Sequence, residues 1–234
     1  YAALGAYTPY VGRWVDAMGH GGYVVGGMLV LWYGTRIVAP PFWTGFTSRS
    51  ATPGFWLVSG AGLTALLFAG FLFAREAWQI LAVMAVFGLF FNAIMPQFEA
   101  MTLTELGARR TQYGRIRVWG SIGFLIVASS FGWLMDRYGN GAFVWLSLPL
   151  FFGMVCTSWL HRHDRQPESQ EAPKGLAESL RRRGVKSFLM VALLMQLAFG
   201  PFYVFFTLHL QRAGHDGLNI GLLWGLGVLI EDRK

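Results

Sequence analysis

Three ionisable side chains interrupt otherwise uncharged stretches of the chain: Arg36, Glu99 and Arg117. A charge inside an apolar span costs about 2.5–3.5 kcal/mol on insertion scales, so each is expected to face a partner or a watery cavity. Glu99 follows a run of 22 uncharged residues, and Arg117 precedes a run of 18. On two antiparallel helices the pair would lie at similar depth. A carboxylate and a guanidinium so placed can line a solute path, the arginine gripping an anion by charge-assisted hydrogen bonds. The same residues, near span ends, can instead snorkel to an interface and do no chemistry. Residue type and spacing leave both readings open. Helical spacing puts Asn92, Glu99 and Thr102 on one face, and Arg117, Ser121, Phe124 and Ala128 on one face of the next helix.

Other groupings carry less. His161-x-His163 sits among basic residues at the end of an apolar run and reads as an interfacial anchor, so no metal site is expected. Gly132-x-x-x-Asp136-Arg137-x-Gly139 mimics a transporter gating loop but reads as the ending of a span. Gln196, Tyr203 and Thr207 form a polar stripe of the kind that serves helix contacts. The chain has no HExxH, no phosphate-cradling glycine loop and no Ser/His/Asp grouping, so neither an enzyme nor a cofactor is expected.

The elements that must position these residues are membrane helices. Of 234 residues 54% are apolar and only 13% charged, against about 25% charged in a soluble domain. A crossing needs about 20 apolar residues. Phe55–Phe73, Ala77–Phe98, Val118–Met135, Tyr138–Leu160 and Ser187–Leu208 qualify or nearly so. One crossing runs from Tyr23 to Trp43 through Arg36, Tyr1–Val15 reads as a crossing without its start, and Gly217–Ile230 is only 14 residues long. No stretch alternates at period two, which argues against a β-barrel. Lys and Arg divide eleven to four between alternate loops, with Arg13 counted among the four, which places the 161–186 segment in the cytoplasm. That distribution also accounts for the net charge of +7 without a nucleic-acid partner. Cys156 alone excludes an internal disulfide. Segment 161–174 is a polar linker, and Leu176 and Leu180 suggest a short amphipathic helix after it.

The chain also repeats itself. A shift of 195 positions superposes Ala3, Gly5, Gly19, His20, Gly22, Gly26 and Leu31 on Ala198, Gly200, Gly214, His215, Gly217, Gly221 and Leu226 without a gap. A repeat every six spans, split by a basic loop, is the layout of carriers built from two parallel six-helix halves. The expected organisation is a six-helix bundle over 1–160, a cytoplasmic linker over 161–186, and the start of a second half over 187–234. The expected fold is thus an all-α polytopic membrane protein, the first six-helix half plus helix seven and part of helix eight. As a fragment it is expected to move no solute by itself.

The run Tyr113-Gly114-Arg115-Ile116-Arg117-Val118-Trp119-Gly120-Ser121-Ile122-Gly123 resembles the start of span five in the lactose permease and phenylpropionate permease group of the major facilitator superfamily. Gly5-Ala6-Tyr7-Thr8-Pro9, Phe98-Glu99-Ala100, Gly200-Pro201-Phe202-Tyr203 and Ile220-Gly221-Leu222-Leu223-Trp224 fall in order on their own spans. The last two favour the phenylpropionate branch, and the resemblance covers essentially the whole chain. It implies a proton-coupled symporter of a small organic acid in the bacterial inner membrane, monomeric when full length. Its implied partners are a small solute, a proton and the lipid bilayer. The substrate-binding residues it implies are Arg117, Glu99, Phe124, Asn92 and Tyr7, with Glu99 and Glu231 as candidate proton sites. Ser48 stands where the superfamily's gating loop carries an acid. Phe124 stands where lactose permease stacks a tryptophan on its sugar, which weakens a disaccharide reading. A sugar or nucleoside symporter, or a truncated membrane protein without transport, are the alternatives.

Overall fold

The computed structural model describes residues 1–47, 50, 52–160, 162 and 183–231. Among these, eight α-helices account for nearly every residue and no strand occurs. They are α1 (Ala2–Ala17), α2 (Gly22–Thr47), α3 (Pro53–Ala69), α4 (Ala77–Leu106), α5 (Tyr113–Tyr138), α6 (Phe143–Leu160), α7 (Arg183–Arg212) and α8 (Gly217–Glu231). Helices α2 to α6, some extended by flanking 3₁₀ turns, are long and apolar enough to cross a membrane. The apolar core of α8, Gly217–Gly227, is shorter. Inside lipid every backbone group must be satisfied within the protein, and helices do this alone. Hydroxyls follow the same rule. Thr64, Ser147 and Ser158 are buried and donate to carbonyls one turn back in their own helices, at 2.7–2.8 Å.

The helix boundaries have local causes. Pro53 opens α3, where a missing N–H costs nothing. Gln79 folds back on Glu76 at the start of α4 and completes a capping box. The sixth crossing starts later than Tyr138. Gly139, at φ 84°, ends α5, a 3₁₀ turn follows, and the helix resumes at Phe143. Helix α7 begins at Arg183, four residues ahead of Ser187, while residues 163–182 lie outside the described residues, as do Ser48, His161 and His163.

The repeat has a structural signature. Gly19 (φ 82°) and Gly214 (φ 89°) close α1 and α7 with the same pair of bonds. Gly19 N–H reaches Asp16 and His20 N–H reaches Val15, while Gly214 reaches Gln211 and His215 reaches Leu210. This is a Schellman turn, written twice 195 residues apart.

Helix α1 runs through the middle, against α5, α6 and α7, while α2, α3, α4 and α6 pack beside it and α8 lies along α5. An aromatic core joins Tyr7, Trp32, Phe68, Phe87, Phe91 and Phe151, with Phe68 and Phe151 stacked at 4.3 Å. Each such pair adds about 0.5–1.5 kcal/mol beyond area burial. Trp78, Trp119, Trp133, Trp145 and Phe152 point outward, where lipid rather than water is the solvent.

Candidate functional site

The two chemistry-bearing residues lie at the end of the bundle where α4 finishes and α5 begins. Helix α1 reaches α5 there through glycines. A Cβ on Gly5 would sit 2.7 Å from the Phe124 carbonyl, and one on Gly120 would sit 2.6 Å from the ring of Tyr1. This close approach places the Tyr1 side chain between Glu99 and Arg117. Its hydroxyl donates to Glu99 Oε1 at 2.5 Å, and the Arg117 guanidinium lies 3.9 Å from its ring centroid. Glu99 and Arg117 are both half-buried and form no ion pair with each other. Tyr1 bridges them instead. Arg117 makes no hydrogen bond to any other described residue, so its planar fork is held by stacking and left open to a carboxylate.

Tyr1 and Glu99 line a cavity of about 510 Å³ between α1, α4 and α6. Most of the rest of its wall is apolar, from Phe91, Met95, Phe98, Pro149, Leu150 and Met154. Pro149, inside α6, removes a backbone donor at this wall. Such a cavity can take an apolar body against the α4–α6 wall and a polar end beside Tyr1.

Of the residues expected from sequence, the structure brings Glu99 and Arg117 together through Tyr1, and only Glu99 among the five lines this cavity. Ser121, Phe124 and Ala128 are buried on one face of α5, as helical spacing predicts. Phe124 packs against α1 and does not reach the cavity wall. Asn92 turns away to α2, where its amide donates to the Trp32 carbonyl at 3.1 Å and to Thr35 Oγ1 at 3.0 Å. Tyr7 is buried among aromatics, stacked on Trp32 at 5.0 Å, with its hydroxyl on the Met84 sulfur. Arg36 is exposed on α2 and has no partner among the described residues. The side chain of Glu231 lies outside the described residues. Thr207 serves a helix contact, accepting from Trp224 Nε1 at 2.8 Å.

Two residues escaped the sequence reading. Tyr1 stood at the edge of a span, and its four-residue spacing to Gly5 was the available signal. Arg13, which the charge count assigns to a loop, is buried in α1 and pairs with Asp136 at 2.8 Å. The Gly132–Gly139 motif does end a span, but its acid has partners on two other segments.

Comparison with known proteins identifies the family. A 3-phenylpropionic acid transporter of Escherichia coli K12, described as probable, is 28% identical over 246 residues, covering 99% of this chain and 62% of that protein. The multidrug resistance protein MdtG of Salmonella arizonae and that of Salmonella typhimurium are each 26% identical over 96% of the chain and 58% of their own length. The chain therefore spans 58–62% of these curated relatives. No solved structure matches it significantly. The relatives are transporters of the major facilitator superfamily rather than enzymes, and the chain is that of a multi-pass membrane protein. With a family match running from residue 1 to residue 231, the chain belongs to the MFS_1 like family of the major facilitator superfamily.

Proposed function

We propose that the full-length protein carries a small amphipathic organic acid across the bacterial inner membrane, coupled to protons, and binds it in the Tyr1–Glu99 cavity. One observation carries the reading: Arg117 is half-buried, stacked on Tyr1 and paired with no carboxylate among the described residues, beside a largely apolar cavity of about 510 Å³. A half-buried guanidinium still gains from a partner of opposite charge, and a solute carboxylate would supply one. Phe91, Phe98, Met95 and Leu150 suit an aromatic or aliphatic body. A relative described as a probable 3-phenylpropionic acid transporter fits this chemistry. Glu99, held by Tyr1, is the candidate proton site. The eleven-to-four charge count supports an orientation with the Glu99 end toward the cytoplasm, the cavity facing inward and the Gly139 end facing out.

The test is uptake of labelled 3-phenylpropionate by full-length protein in proton-tight vesicles. Saturable uptake driven by an inward proton gradient is expected, and gradient-independent or absent uptake contradicts the reading. For orientation, in a Cys156→Ser background, an impermeant thiol reagent outside the cell should label Gly141→Cys and miss Thr111→Cys. The reverse would invert the topology. The multidrug relatives favour a second reading, export of an apolar solute through the same cavity. Under that reading vesicles would show drug efflux, and Arg117 would be dispensable.

A further inference from the structure

The Gly132-x-x-x-Asp136 motif and the buried Arg13 belong to no part of the cavity, which lies at the other end of the bundle. Arg117 and Asp136 are 19 positions apart on α5, about 28 Å along the helix. Around Asp136 the contacts form a chain. Arg13 Nη2 donates to Asp136 Oδ1 at 2.8 Å, and Arg13 Nε donates to Asn140 Oδ1 at 2.7 Å. The other Asp136 oxygen, Oδ2, accepts the backbone N–H of Gly217 at 2.5 Å. Gly217 is the first residue of α8. Tyr10, fully buried, donates to the Ala128 carbonyl at 2.6 Å and lies 3.2 Å from the Gly217 carbonyl.

These bonds divide unevenly between the two repeats. Arg13, Tyr10, Asp136 and Asn140 all belong to the first six helices. Gly217 alone belongs to the second repeat. Separating α8 from α5 would therefore leave the Arg13–Asp136 pair intact and break only what reaches Gly217. Arg13, with an 8% exposed side chain, holds the carboxylate so that one oxygen points at the positive end of α8. Asp136 itself is 36% exposed and can take water when α8 leaves. Below this point α8 presents Gly217 and Gly221 to Gly132, Ala128 and Ser129, so close that a Cβ on either glycine would fall inside the facing backbone. Close contact of this kind is cohesive but has no preferred end point. The carboxylate gives it one.

We propose that Asp136, aimed by Arg13, is a latch that holds the start of α8 against α5 and keeps the Gly139 end of the carrier shut while the cavity at the Glu99 end is open. The carboxylate on the Gly217 amide sets the balance between the two arrangements. Arg13 is a positioning residue that never leaves Asp136. The inference rests on the carrier reading above, but its test needs no solute, so a wrong solute assignment and a wrong latch give different results.

The test uses the full-length protein with Cys156→Ser and one of two reporters. Ser129→Cys replaces a buried hydroxyl that has no partner among the described residues at the α5–α8 seam. Thr157→Cys lies on the exposed cavity wall. Labelling by an impermeant maleimide is timed from the outer face for the first and from the inner face for the second. Asp136→Asn, which keeps the shape and removes the charge, should speed outer labelling at least about fivefold, the lower end of what coupled conformational states are worth. Inner labelling should slow in the same variant. Arg13→Lys should produce a smaller change in the same two directions, because one ammonium cannot hold Asp136 and Asn140 in a fixed fork. Unchanged labelling at Ser129→Cys in Asp136→Asn overturns the proposal. Faster labelling at both reporters also overturns it, since that marks loosened packing rather than a shifted balance.

Discussion

Replacing Arg117 by lysine keeps the charge and removes the shape. The structure allows the consequence to be sized. The guanidinium lies 3.9 Å from the centroid of the Tyr1 ring, half-buried, where a cation–π contact is worth about 1 kcal/mol. A two-pronged grip on a solute carboxylate reduced to one bond loses a further charged hydrogen bond, about 1.5 kcal/mol. The ring contact is made with or without solute and bears on stability, so the lost bond of about 1.5 kcal/mol sets the change in affinity, a factor of about 13. Arg117→Ala should bind nothing measurable, because the carboxylate would then meet Glu99 with no cation between them. The assay is equilibrium binding of labelled 3-phenylpropionate to purified full-length protein, with thermal unfolding measured alongside to exclude misfolding. An Arg117→Lys affinity within threefold of the native value would refute the guanidinium's role and leave only an interfacial arginine.

Three further outcomes follow from contacts away from the guanidinium. Asn92→Ala should lower stability by about 1–2 kcal/mol, because it strips the donors from Trp32 and Thr35. It should leave solute affinity unchanged, and a shift in affinity would return Asn92 to the site. Phe68→Ala should cost about 3–5 kcal/mol, since that ring is fully buried and stacked on Phe151; a melting curve close to native would contradict the packing. Gly221→Val should cost about 1–3 kcal/mol by forcing α8 off the backbone of Ala128 and Ser129, read from melting in detergent.

How much of this was legible depends on what each feature is made of. The helices were, because a crossing is a run of apolar residues and needs no partner to be seen. The repeat was also legible, and Gly19 and Gly214 show why: a left-handed turn demands glycine, so both copies kept it. Glu99 and Arg117 stood out because charge is rare in such runs. Their relationship was not legible, since the residue between them comes from α1 and arrives only through the close approach at Gly5 and Gly120. Asn92 shared a helical face with Glu99 but turned to α2. Spacing fixes a direction around an axis, and it does not name the neighbour. Arg13 was misplaced for a related reason. Near the end of an apolar run, a charge that snorkels and a charge buried on a distant acid look alike until the distant helix is in place.

The Asp136 contacts also bear on the order in which the protein is made. Gly217 follows Asp136 by 81 residues, so at about 5–20 residues per second the ribosome needs about 4–16 s to supply α8. During that interval α5 is already in the membrane with its carboxylate uncovered. Arg13, made 123 residues earlier, is already there to neutralise it. The Arg13–Asp136 contact can thus form before the Asp136–Gly217 contact has a partner. A nascent polypeptide arrested after Leu160 should therefore lose more membrane yield from Arg13→Ala than the full-length protein does, and equal losses would show that the acid needs no escort.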